Sequence, residues 1–165
     1  MTLKDLLAEN KNLILQRWFD RLLEDYPPEA RGFLRENKSP YSNPIGFTLR
    51  KGMEGVLAVV LEPGSGGAVR AILEPVMKVR AVENLSLPQG GKFILPLREV
   101  IAEVVKEAAR EEDSGQERLD LNSRITHLAL LAMNLYSECR ERVNRLRIEE
   151  RERRGGRVAD RRTGA

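Results

Sequence analysis

The sequence is poor in the side chains from which most catalytic and metal sites are built. Its 165 residues include one histidine (His127), one cysteine (Cys139) and one tryptophan (Trp18). A single cysteine excludes an internal disulfide, and it has no nearby histidine in register to act as a base or metal partner. Aromatic residues make up only 5%, and no long run of β-branched residues alternates with polar ones, so a β architecture has no pattern to rest on. No apolar run approaches the roughly 18 residues that a membrane span needs. The start, MTLKDLLAENK, turns polar and acidic within a few residues, unlike a signal peptide. These absences point to a cytoplasmic protein without membrane insertion.

What is present suits helices. Apolar residues form 41% of the chain and charged residues 32%, a length and balance that fit one soluble domain with an adequate core. The net charge of +3 is unevenly placed. Residues 151–165 hold six arginines against Glu152 and Asp160, a balance of +4, which leaves 22 basic and 23 acidic side chains and a net −1 on residues 1–150. The expectation is a single helical domain over residues 1–150, followed by a basic, disordered tail.

Along the chain, Thr2 and Asp5 form an N-cap signature, followed at helical intervals by Leu3, Leu7, Ile14, Trp18 and Leu22. Pro27-Pro28 ends that helix near Tyr26. A short helical turn is expected over residues 29–35 and a loop over 37–43. Asn43 caps the next helix, with Pro44 in its first position and Leu49, Met53, Val56, Leu57 and Val60 on its buried face. Gly46, Gly52 and Gly55 weaken this helix by propensity, which suggests that another helix passes close by. The break at residues 63–67 reads as a linker; it follows a helix rather than the strand that a phosphate-binding loop requires. A helix over 68–84 follows, with Val69, Ile72, Leu73, Val76 and Met77 inward and a kink expected at Pro75. Asp113-Ser114-Gly115 separates the last two helices, and the final one is expected to run from near Gln116 to about Arg151.

The corner at residues 84–92 is the most carefully punctuated part of the chain. Ser86 and Gln89 have capping-box spacing and Pro88 lies in the first turn. Beyond them Phe93, Leu97, Ile101, Val104, Val105 and Ala108 make one apolar stripe in a helix that Pro96 should bend. A helix ending V-R-A-V, then L-P-Q and K-F-I-x-x-L, resembles the N-terminal domain of the RsbRD-type stressosome co-antagonists, which regulate the RsbT kinase. Trp18 with Tyr26-Pro27, and then Tyr41-Ser42-Asn43-Pro44-Ile45-Gly46, agree in order, so the resemblance spans roughly residues 10–110. It implies a globin-like helical fold without haem, of five long helices and one short one. Periodicity by itself allows a plain helical bundle equally well. Regulatory members carry a C-terminal STAS domain that is phosphorylated, and this sequence has none, so a stand-alone domain signalling by binding is expected.

No residue constellation points to an enzyme or a cofactor. His127 is the only conventional haem ligand, but it lies in the last helix and off its apolar stripe, which suits an exposed structural residue. Gly90-Gly91-Lys92 lacks the glycine and the Ser or Thr that a P-loop needs at positions 86 and 93. Cys139 falls on the apolar stripe of the last helix and reads as core. Glu111-Glu112 and Glu149-Glu150 lie in charge-mixed helical surface. The Arg-rich tail could attract nucleic acid, but it has no interleaved aromatics to stack on bases, so a nucleic-acid partner is not expected.

The strongest functional signal is in the last helix. Ile125, Leu128, Ala132, Leu135, Cys139 and Val143 supply its core stripe, with Tyr136 beside them. At about 100° per residue, Leu130 lies some 200° and Met133 some 140° from Leu128. A helix apolar on both sides is covered on both sides, either by another helix of the same domain or by a second subunit. Leu130 and Met133 are therefore the candidate protein-interaction residues, and the expected function is that of a non-catalytic regulatory or sensory domain acting as a homodimer or through a partner protein. A small-molecule-binding helical module is the alternative.

Overall fold

The computed structural model describes the chain except for residues 66–67, 84–88, 109–114 and 164–165. Among the described residues every regular element is helical: α1 (Leu3–Glu9), α2 (Lys11–Leu23), α3 (Pro28–Glu36), α4 (Pro44–Leu61), a 3-10 turn (Pro63–Ser65), α5 (Val69–Val82), α6 (Gln89–Ile94), α7 (Pro96–Glu107) and α8 (Gly115–Thr163). No helix among them is long and apolar enough to cross a membrane.

The all-helical class agrees with the sequence; the division into five long helices and one short one does not. The first expected helix is two, because the Asn10 amide donates to the Leu6 carbonyl at 2.9 Å. That bond competes with the helical ladder, and the backbone turns at Asn10 before α2 begins. The helix expected to bend at Pro96 is also two. Pro96 has no N–H for the ladder, so it opens α7 from the first position, where none is needed. Pro75, by contrast, sits inside α5 and the helix continues through it. The expected capping box at Ser86 and the boundary at Asp113-Ser114 lie outside the described residues.

Two caps form as the sequence predicts. Thr2 and Asp5 make a reciprocal capping box at the start of α1, and Asn43 Oδ1 accepts from Gly46 N–H at 3.0 Å to start α4. Gly52 and Gly55 do mark a close helix crossing. A Cβ on Gly52 would lie 2.3 Å from Val76 Cγ2, and one on Gly55 would lie 2.7 Å from Ile72 Cγ2, both on α5. Gly46 has a different reason: its Cβ would strike the capping Asn43 side chain.

The core is one cluster drawn from α1 to α8, with Trp18, Leu57, Leu73, Phe93 and Ile125 fully buried within it. Trp18 joins α2 to α6: its indole N–H donates to the Phe93 carbonyl at 2.8 Å and its ring lies 5.5 Å from that of Phe93. Ala108, expected on the stripe of α7, is instead its exposed C-cap. On the surface, Arg17 holds Glu107 with two bonds of 2.8 and 2.9 Å, and Arg21 bridges Glu99 and Glu103, which laces α2 to α7. Exposed pairs of this kind contribute little singly. The alignment of α2 and α7, which are in contact, therefore rests mainly on the common core, to which α2 gives Ile14, Trp18 and Leu22 and α7 gives Leu97, Ile101 and Val104.

Candidate functional site: the outer face of the last helix

The organising element is α8, which lies along α5 and α6 and also touches α4 and α7. Its inner stripe of Leu121, Ile125, Leu128, Ala132, Leu135 and Cys139 is buried, with Val143 half-buried at the end. Two arginines bracket this seated length. Arg124 donates to the Val60 carbonyl at 2.9 Å, and Arg140 donates to the Ala81 carbonyl at 2.8 Å. Those carbonyls belong to the last turns of α4 and α5, where backbone acceptors lack a helical partner and the helix dipole favours a cation. Thus α8 closes the ends of two helices as well as the core. Arg50 does the same for α3, donating to the carbonyls of Leu34, Arg35 and Asn37.

The outer face is different. Leu130 is 56% exposed and Met133 is 40% exposed. Leu95, at the α6–α7 joint and 44% exposed, adjoins Met133. A Cβ on Gly91 would lie 3.5 Å from Met133 Sδ and 3.7 Å from Leu95 Cδ1, so both side chains lean over that glycine. Gly91 thereby brings α6 close beneath α8. Leu119 and Ile148 lie within about 20° of Leu130 around the helix and are also exposed. Between Arg124 and Glu138 no side chain carries a formal charge, in a chain that is one-third charged. Arg98 borders the patch at one end, donating to Thr126 Oγ1 at 2.6 Å.

The remaining candidates fall into place individually. His127 is exposed on α8. Cys139 is buried, and burial pushes its thiol above the usual range. No group of three or more His, Cys, Asp or Glu capable of holding a metal exists among the described residues. Glu150 pairs with Arg154 one helical turn away at 2.6 Å, and Glu111-Glu112 lie outside the described residues. The last helix, α8, reaches Thr163 rather than ending near Arg151. Glu and Arg have high helix propensity and no proline interrupts them, so the helix continues through Gly155 and Gly156 despite their low propensity.

Sequence reasoning missed a buried polar node beneath the corner. Arg80 has no exposed surface, and its guanidinium meets Asp25 at 3.1 Å. Beside it the Tyr26 hydroxyl donates to Glu83 at 2.7 Å to one oxygen and 2.9 Å to the other. Burial raises the Glu83 carboxyl above its ordinary value, against the opposing pull of the Tyr26 hydrogen bond and Arg80. Burial, then the charge of Glu83, raises the Tyr26 phenol. The signal was available: Arg80 falls in register with Leu73, Val76 and Met77 on the buried stripe of α5, where a charge has to bring a partner with it.

No curated protein and no solved structure matches the sequence. Residues 13–151 match the family described as the RsbT co-antagonist protein rsbRD N-terminal domain. That match extends from the start of α2 through the whole seated length of α8, most of the chain, and so the protein belongs to the RsbRD N-terminal domain family.

Proposed function

We propose that this chain is a non-catalytic regulatory or sensory domain that works by protein association, and that a second copy of the chain covers the outer face of α8. The observation that carries this reading is the uncharged, partly exposed apolar patch of Leu130, Met133 and Leu95. An isologous contact sets a surface against itself, so a charge near the two-fold axis meets its own like charge. A face without charges between Arg124 and Glu138 avoids that cost and suits pairing of identical copies. The family's description as a co-antagonist of RsbT supports a stress-related regulatory role. On this reading the helices take a globin-like arrangement without haem, in a cytoplasmic protein that signals through the contact.

Mass action provides the test. A protein stabilised by pairing melts at higher temperature as its concentration rises. The melting temperature should climb over a hundredfold concentration range for the wild type and stay flat for Met133→Arg. A wild-type melting temperature independent of concentration contradicts the pairing.

A further inference from the structure

A second surface feature lies away from α8. A cleft of about 340 Å³ opens between α2, α3 and α4, at the small end of the range for ligand sites. Its apolar floor comes from Leu15, Phe19 and Met53. Cations dominate its rim. The Arg50 guanidinium lies 4.6 Å above the Phe19 ring, and its three carbonyl partners take three of its five N–H groups. It is half-buried and has no carboxylate partner among the described residues. Burial lowers its proton affinity, as expected of a cation without a counter-charge. Lys38, exposed, lines the same cleft without an ion-pair partner among the described residues. The third cation, Arg35, is matched by Asp20 at 3.0 Å. Glu54 is the only other acid in the lining and is exposed.

We propose that this cleft binds a small amphipathic monocarboxylate, with its apolar chain on Leu15, Phe19 and Met53 and its carboxylate between Lys38 and Arg50. The cleft has one cation more than it has carboxylates, and Arg50 and Lys38, which have no carboxylate partner among the described residues, sit beside apolar surface. A neutral apolar molecule would leave them unmatched, and a cation would add to the repulsion. The site shares no residue with the outer face of α8, so it stands or falls separately from pairing.

Octanoate is the probe, titrated calorimetrically into the full chain, with octan-1-ol as the uncharged control. Saturable one-site binding of octanoate is expected, at least about tenfold tighter than that of octan-1-ol. Lys38→Glu should weaken it at least about tenfold, and Glu54→Gln should strengthen it. Neither substitution touches the core or the bonds that Arg50 makes to α3, so both variants should keep wild-type circular dichroism. Absence of saturable binding overturns the proposal, as does octanoate binding that both substitutions leave unchanged.

Discussion

Two lengths of one helix behave differently. Residues 121–143 of α8 lie in the body of the domain, with an inner stripe from Leu121 to Cys139 buried and with Arg124 and Arg140 closing the ends of α4 and α5. Residues 144–158 of the same helix are exposed on every side. Past the body α8 runs on for about 30 Å, supported by its own hydrogen-bond ladder and by pairs such as Glu150–Arg154. Gly155 and Gly156 cost about 1 kcal/mol each relative to alanine within it. The contrast separates helix formation from helix anchoring: propensity and charge spacing continue the helix, while burial and the two arginine bonds tie it to the fold.

Substitutions on the two lengths should therefore differ in kind. The largest effect is expected at Leu135, which is 1% exposed in the seated part. Leu135→Ala should cost about 2–5 kcal/mol through lost burial and the cavity left behind, read from urea denaturation. A smaller loss, about 1 kcal/mol, is expected for Arg140→Ala, which leaves the Ala81 carbonyl without its donor but creates no apolar cavity. Smallest of all, deleting residues 153–165 should change stability by less than about 0.5 kcal/mol, while reducing the helical circular dichroism signal by the share of those residues. A drop of several degrees in melting temperature on deletion would show that the overhang rests on something, and would erase the distinction between the two lengths.

Legibility from sequence followed the same division between local and tertiary causes. The caps at Thr2 and Asn43, the stripe from Leu49 to Val60 and the close crossing at Gly52 and Gly55 were all readable, since spacing and residue type determine them. The breaks at Asn10 and Pro96 were readable in principle but ambiguous. A mid-helix asparagine can point to solvent instead of bonding the Leu6 carbonyl, and Pro75, unlike Pro96, lies within a continuing helix. The register of Arg80 on the buried stripe of α5 was readable, but its partner Asp25 is 55 positions away, and no local pattern names it. The end of α8 near Arg151 was not legible, because the charged residues beyond it have helix propensity and the helix runs on to Thr163. Of the candidate surface, helical phase alone places Leu130 and Met133 opposite the core stripe, where both are partly exposed. Leu95 is not placed by it, because its position beside Met133 comes from α6 packing under α8 at Gly91.

The claim that matters most is that a second copy covers the outer face of α8, and sedimentation velocity on the wild type and Leu130→Arg, with circular dichroism on the same samples, tests it most directly. Leu130 is more than half exposed in the single chain, so an arginine there meets no internal neighbour that would unfold the domain. The account predicts a wild-type dimer and a folded Leu130→Arg monomer with an unchanged spectrum. A monomeric wild type, or a Leu130→Arg chain that remains dimeric, would contradict it.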